Sequence, residues 1–299
     1  MLESKLKNYI QLHLLIFIWG FTAILGALIS IEAMSLVWYR MLLASLFVAI
    51  FLFFKKKPIY VDRKTLLKFV LGGTIIALHW LTFFSAVKAS NVSVALMAMS
   101  TGAFFTSLIE PIFFKRRVSK LELFLGSLVV IGLYVILQVE GNYLAGIIYG
   151  LISSLLSAIF SVANGLYVRK SNPEIISFYQ LLFGMMFITI VLFVTGKFNH
   201  NFFILSGSDW TYLIILASIC TAYAFTMSLK VMKVLSPYTV MLSINLEPVY
   251  GIILALIVFG EKERMGFEFY LGTLIILLSV LLNAIFKNRE MLINRFQKK

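Results

Sequence analysis

Long apolar stretches alternate with short polar segments along the whole chain. A helix needs about 20 mostly apolar residues to cross the hydrocarbon core of a membrane. Two stretches each carry one charge, Arg40 in 33–54 and Glu247 in 234–260. Eight more contain no Asp, Glu, Lys or Arg: 8–31, 69–87, 89–109, 123–139, 141–168, 175–196, 210–229 and 269–286. The pattern predicts ten membrane-spanning helices, joined by connections too short to hold a soluble domain.

Composition excludes the soluble and disordered classes of protein. Hydrophobic residues make up 61% of the 299 residues and charged residues only 13%, whereas soluble domains average about 45–50% apolar and about 25% charged. The single cysteine, Cys220, excludes an intramolecular disulfide framework. His13, His79 and His200 lie too far apart in sequence to indicate a metal site. We therefore expect an all-α integral membrane protein without a metal or cofactor.

Basic residues are concentrated on alternate loops. If ten spans start from a cytoplasmic N-terminus, 21 of the 26 Lys and Arg residues lie on the cytoplasmic side and four lie outside. This bias follows the positive-inside rule, so we expect a multi-pass protein of the cell (inner) membrane with both termini cytoplasmic. Because the charge is scattered over loops, it indicates contact with the lipid bilayer and not with nucleic acid. The oligomeric state stays open.

Two segments recur in the same order in both halves of the chain. Glu-Leu-Phe-Leu-Gly-Ser-Leu at 122–128 resembles Glu-Phe-Tyr-Leu-Gly-Thr-Leu at 268–274, an offset of 146 residues. Trp-Tyr-Arg-Met-Leu at 38–42 resembles Phe-Tyr-Gln-Leu-Leu at 178–182, an offset of 140 residues. An odd number of helices per copy inverts the second copy in the membrane. The recurrence therefore predicts two inverted five-helix repeats, a common build of secondary transporters, whose substrate site lies at the midplane.

We place the first repeat at 1–140 and the second, with a basic C-terminal tail, at 141–299. Three motifs in the spans are typical of a known family: Trp-Tyr-Arg at 38–40, Glu-Pro at 247–248 and Gly-Glu at 260–261. With ten spans and short loops, they make nearly the whole chain resemble the EamA-type members of the drug/metabolite transporter superfamily. The resemblance implies a transporter of small organic metabolites, often an exporter, with a cavity formed by helices 1, 3, 4, 6, 8 and 9.

The first half departs from the motif pattern of the second. At an offset of 146 residues, Gly102 occupies the position of Pro248, and Lys115 occupies that of Glu261. A Glu110-Pro111 pair lies nearer the end of the fourth span. We interpret Glu110 as a gate residue or as a member of an interfacial ion pair.

Ionisable residues inside a span are costly, by about 2.5–3.5 kcal/mol on insertion scales, and mark functional or paired sites. Glu247 lies near the midplane, with 13 uncharged residues on either side. Pro248 removes a backbone donor and predicts a helix kink that leaves a carbonyl without its partner. This carboxyl could bind a proton, a cation or a substrate amine, or it could merely stabilise the kink.

Two further ionisable residues lie deep in the spans. The histidine side chain intrinsically titrates near neutral pH, which would suit a proton relay, so we take His79 with Glu247 as a proton-coupling candidate. The alternative for His79 is a neutral ring bonded to a neighbouring helix. Arg40 is interpreted as a carboxylate-binding or gating charge. The alternatives are half of an internal ion pair that holds helices together, or a side chain that extends toward the outer membrane interface.

Polar and aromatic residues on the inner helix faces complete the candidate substrate site. Asn164 continues a stripe of small residues along the sixth span, which suits either a cavity wall or close packing. Trp19 and Trp80 lie deeper in their spans than the membrane interface, so they are better candidates for a cavity wall than tryptophans at the interface. The substrate-binding candidates are Trp19, His79, Trp80, Asn164, Asn245 and Glu247.

These features predict a secondary transporter that exports small organic metabolites such as amino acids or amines. It would work by alternating access around a midplane cavity, with proton coupling. A passive exchanger or facilitator of metabolites or drugs is the alternative. A membrane-embedded lipid-modifying enzyme is disfavoured, because the deep carboxylates Glu110 and Glu247 lie 137 positions apart and no Gly-x-Ser-x-Gly motif occurs.

Overall fold

The computed structural model describes residues 2–115, 117–118, 120–139 and 143–296. These residues form thirteen α-helices, with 3₁₀ turns at His200–Phe203 and Gly260–Glu263 and a π-helix at Ser218–Tyr223. The helices are α1 Leu2–Leu28, α2 Ala33–Phe54, α3 Arg63–Ala89, α4 Val92–Met99, α5 Gly102–Phe114, α6 Lys120–Val139, α7 Leu144–Tyr167, α8 Pro173–Val194, α9 Gly207–Ala217, α10 Ala224–Val231, α11 Pro237–Ile244, α12 Glu247–Phe259 and α13 Phe267–Phe296.

The helices make up ten spans, which confirms the predicted fold class. Within the described residues, eight segments are long and apolar enough to cross a membrane. They are α1, α2, α3, α4 with α5, α7, α8, α9 with α10, and α11 with α12. The remaining spans, α6 and α13, pack against each other. The predicted boundary between the halves, at 140/141, lies outside the described residues; below, the first half is α1–α6 and the second half α7–α13.

Polar residues at the helix N-termini determine where several spans begin. The Asp62 side chain accepts hydrogen bonds from the backbone N–H groups of Lys64 and Thr65, both at 3.0 Å. It thereby satisfies donors that the first turn of a helix leaves free. The third span consequently starts at Arg63 and not at residue 69, where the charge-free stretch begins. Asn91 caps α4 in the same way.

The fourth and ninth spans are each interrupted near the middle. Asn245 and Leu246 separate α11 from α12, and Pro248 follows as the second residue of α12. Ser100 and Thr101 separate α4 from α5 without any proline. Their hydroxyls donate instead to the carbonyls three residues earlier, at 2.6 and 2.7 Å, and so compete with the regular helical bonds. Paired interruptions at equivalent positions of two repeats are typical of secondary transporters.

The two halves interlock. Helix α3 packs against α7 and α8, α2 packs against α8, and α1 packs against α12. The backbones of α3 and α8 approach closely at Gly73 and Gly184, where a Cβ on Gly184 would lie 2.7 Å from the Gly73 carbonyl oxygen. Small residues allow transmembrane backbones to approach in this way. The core between the halves is therefore continuous, and the site below lies within it.

Candidate functional site

A cavity lies in the centre of the bundle and is lined by both halves. The first half contributes Trp19, Thr22, Arg40, Ile76, His79, Trp80, Phe83 and Met99. The second half contributes Ser157, Phe160, Ser161, Phe225, Ser228, Met232, Ile244 and Glu247. These residues belong to spans 1, 2, 3, 4, 6, 8 and 9. The resemblance implied six of these spans, and the second span is added through Arg40.

The cavity is narrow. About 90 Å³ of the space between the lining atoms can hold the centre of a water molecule. One water needs roughly 10–15 Å³ by this measure, so the cavity has room for about seven waters. The space therefore suits a compact solute.

Glu247 enters this cavity from the interruption in the ninth span. It is the first residue of α12, and its side chain is half-buried. A negative charge is favoured at this helix end, because the backbone dipoles leave partial positive charge there. Among the described residues, no side chain or backbone group forms a hydrogen bond or ion pair with its carboxylate. The oxygens of this carboxyl group are therefore available to a solute or a proton.

Arg40 lies in the same cavity and is only 1% exposed. Its Nε donates to the hydroxyl of Thr221 at 2.6 Å. Its guanidinium carbon lies 3.9 Å from the centre of the Trp80 ring, a cation–π contact. Within the described part of the chain, Nη1 has no hydrogen-bond partner, and no carboxylate oxygen lies within 4.0 Å of the guanidinium. The structure therefore supplies no internal ion pair for Arg40.

The π-helix explains how Thr221 meets Arg40. The Thr221 hydroxyl donates to the carbonyl of Leu216, five residues earlier, at 2.7 Å. This bond uses the hydroxyl hydrogen and leaves the oxygen to accept from Arg40. Single π turns are often found at functional sites. The sequence places Thr221 in a stripe of small and polar residues on the eighth span, but we did not select it as a site residue, because helical spacing alone does not show that its hydroxyl meets Arg40.

His79 both lines the cavity and contacts α7. Its Nδ1 lies 3.0 Å from the carbonyl oxygen and 2.8 Å from the hydroxyl oxygen of Ser153. The Ser153 hydroxyl donates to the His79 carbonyl at 2.8 Å. These contacts favour a proton on Nδ1 and leave Nε2 as an acceptor. The ring is therefore anchored by α7, which is the alternative considered from the sequence, and it still belongs to the cavity wall.

Three of the predicted site residues do not line the cavity. Asn164 is fully buried and exchanges two hydrogen bonds with Gln180, at 2.8 and 3.3 Å. This amide pair joins α7 to α8, which removes the physical reason for placing Asn164 at a water-filled surface. Asn245 lies in the interruption between α11 and α12 and is 1% exposed. Glu110 is buried on α5. Trp19, Arg40, His79, Trp80 and Glu247 are brought together.

The comparison with protein families now identifies the class of protein. The profile of the EamA-like transporter family matches residues 6–138 and 144–285. The chain belongs to the EamA-like transporter family. The transporter is also similar to an uncharacterized transporter of Archaeoglobus fulgidus, with 24% identity over 226 residues that cover 75% of this chain and 78% of the relative.

A solved crystal structure has the same fold as the transporter. Its TM-score is 0.68, and the match covers 92% of this chain and 96% of the other at 13% identity. At this identity the likeness shows the fold alone. The family assignment shows a membrane transporter and not an enzyme, in agreement with the sequence analysis. Among the described residues, no group of three or more His, Cys, Asp or Glu side chains could hold a metal ion.

At one end of the transporter, carboxylates of the second half are bound to the first half. We call it the clasped end. Asp209 accepts hydrogen bonds from the Ser30 backbone N–H and hydroxyl, both at 2.7 Å. Glu263 accepts from the backbone N–H groups of Val92 and Ser93, both at 2.9 Å, and from the Ser93 hydroxyl at 2.8 Å. These bonds join the two halves between the cavity and the clasped end.

The other end carries basic side chains, and we call it the basic end. Glu174 forms ion pairs there with Lys57 and Lys230, both at 3.1 Å. The cavity extends towards this end, because its lining residue Met232 directly follows α10. Towards the clasped end, the lining stops at Phe83, six residues before the end of α3. At 1.5 Å per residue, about 9 Å of α3 lies between Phe83 and the end of the helix on that side.

Proposed function

We propose that the transporter is a secondary carrier of small organic metabolites, such as amino acids or amines, that exports them by alternating access. The observation that carries this proposal is the central cavity, which both halves line at the level of the two interrupted spans. A site between two repeats can be exposed to either side of the membrane when the repeats rock against each other. The units that rock would be residues 1–140 and 141–299.

The asymmetry of the two ends supports a direction for the first step. If the basic end faces the cytoplasm of a cell (inner) membrane, as the positive-inside rule requires, the cavity approaches the cytoplasm and the clasped end is closed to the outside. An exporter loads its substrate from the cytoplasm in such an arrangement. Both termini would then be cytoplasmic.

We further propose that Glu247 couples transport to protons, with His79 as a second participant. The Glu247 carboxylate has no hydrogen-bond or ion-pair partner among the described residues, so gaining or losing a proton breaks no existing contact. A carboxylate that can hold either a proton or a substrate amine links the movement of the two. His79 supports this role through its Nε2, which remains an acceptor in the cavity wall.

Transport by reconstituted protein tests these proposals. We expect accelerated uptake of at least one amino acid or amine by proteoliposomes, with a rate that changes with pH. Glu247→Gln should abolish the pH dependence, because an amide cannot titrate. Glu32→Gln is the matched control, since Glu32 is exposed and paired with Lys197 away from the cavity. A normal pH profile in Glu247→Gln would contradict proton coupling, and pH-independent flux in both proteins would favour passive exchange.

A further inference from the structure

The cavity contains a cation that the protein leaves incompletely bound. Arg40 is charged at all physiological pH values, and its guanidinium has five N–H donors and no acceptor. Thr221 accepts from Nε, and Trp80 covers one face of the guanidinium. Nη1 has no partner among the described residues although the side chain is 1% exposed. A buried charge in this state is unfavourable unless another group approaches it.

The cavity also contains a carboxyl group, that of Glu247, for which the described residues supply no hydrogen-bond or ion-pair partner. Glu247 and Arg40 line the same space, yet none of their nitrogen and oxygen atoms lie within 4.0 Å of each other. Neither residue has another ion-pair partner among the described side chains. Two opposite charges with a gap between them form a complementary site for a molecule that carries both signs.

We propose that Arg40 binds the carboxylate of the substrate and that Glu247 binds its ammonium group, so that the transporter selects compact zwitterions. This inference rests on the proposed function and specifies the chemistry of the same cavity. The contact with Trp80 covers the guanidinium on one side, and Nη1 has no partner among the described residues, so this N–H group can donate to a carboxylate. The Thr221 bond at Nε fixes the side chain along its length.

The rest of the lining defines which zwitterions fit. Apart from Arg40, Glu247 and the titratable ring of His79, the lining is neutral, with aromatic rings such as Trp19 and Phe225, four aliphatic or methionine side chains and four hydroxyls. A charge on the substrate side chain, in addition to its carboxylate and ammonium group, would therefore be buried without a partner. The narrow space excludes bulky solutes. The substrate side chain is consequently small, neutral and largely apolar.

Binding of matched compounds to the purified transporter tests the inference. The probes are leucine, leucinamide, isoamylamine and 4-methylpentanoate, with the corresponding amino acid, amide, amine and carboxylic acid of valine. We expect at least one of the amino acids to bind and its amide to bind at least about tenfold more weakly, because a charge-assisted hydrogen bond is lost. In Arg40→Gln, the amino acid should bind no better than its amide. In Glu247→Gln, it should bind no better than the carboxylic acid that lacks the amino group.

Two further variants keep the experiment decisive. Arg264→Gln is the matched control, since Arg264 is exposed and contacts Glu261 outside the cavity. Arg40→Lys retains a positive charge if Arg40→Gln fails to fold, and it should bind the amino acids more weakly while still preferring them to the amides. Equal binding of amides and amino acids to the wild type would overturn the inference, as would unchanged discrimination in Arg40→Gln or no binding by any amino acid.

Transport separates this inference from the proposed function. If amines cross the membrane in a saturable, Glu247-dependent manner and amino acids do not compete, the carrier proposal holds and the zwitterion site is refuted. If no compound of the panel crosses, the proposed function itself fails.

Discussion

Glu263 offers the sharpest test of how the clasped end is held shut. Its carboxylate is 4% exposed and accepts three hydrogen bonds from the first turn of α4. A hydrogen bond to a charged group contributes about 1.5–3 kcal/mol. Glu263→Gln removes the charge and replaces one acceptor oxygen with a donor that faces a backbone N–H. We expect the closed arrangement to lose about 2 kcal/mol, which is roughly a 30-fold shift towards opening.

Thiol labelling measures this shift. Cys220, the single cysteine of the chain, is buried, and Cys220→Ala gives a thiol-free background. Met99→Cys then places one thiol in the cavity wall at the end of α4. A membrane-impermeant maleimide applied at the clasped end should label it faster when Glu263→Gln is present. Glu261→Gln, on the same turn but exposed, is the control. Equal labelling rates in the two variants would refute the role of Glu263.

Three other predictions concern stability. Gly184→Ala should destabilise the fold by about 1–3 kcal/mol through its clash with the opposing backbone, whereas Gly207→Ala, in open space, should not; thermal unfolding compares them. Gln180→Leu should cost about 1–3 kcal/mol by leaving the buried Asn164 amide unpaired, with substrate affinity unchanged in binding assays. Hydrogen bonds from the Thr65 side chain and backbone lower the pKa of Asp62. The Asp62 cap of α3 therefore contributes fully above the ordinary Asp pKa, and its contribution is lost as the pH falls through the lowered pKa. Asp62→Ala should reduce hydrogen-exchange protection in the first turn of α3 at neutral pH.

The spans could be predicted from the sequence because the bilayer imposes both their length and their composition. Their ends were less predictable, since caps such as Asp62 extend a helix through charged residues. The interruption beside Pro248 was visible in the sequence. Its counterpart at Ser100 and Thr101 was not, because it depends on hydroxyls bonding back to the helix and not on a missing backbone donor.

The candidate site was only partly accessible from the sequence. Depth in a span identified Glu247, His79 and Arg40, because an ionisable group inside the membrane is energetically costly and usually marks a functional or paired site. Periodicity placed Asn164 on a polar face but could not show which neighbour that face meets, and it meets Gln180. Contacts between the two halves depend on how the ten spans pack. Arg40 and Thr221, for example, are 181 positions apart in sequence, so no local pattern could indicate that they meet.

Proton movement during transport is the most direct test of whether Glu247 couples solute transport to protons. Proteoliposomes that contain a pH-sensitive dye would receive each amino acid or amine that the wild-type protein transports. We expect a proton flux that accompanies the solute in the wild type and disappears in Glu247→Gln. Solute transport with no proton flux, or an equal proton flux in Glu247→Gln, would contradict it.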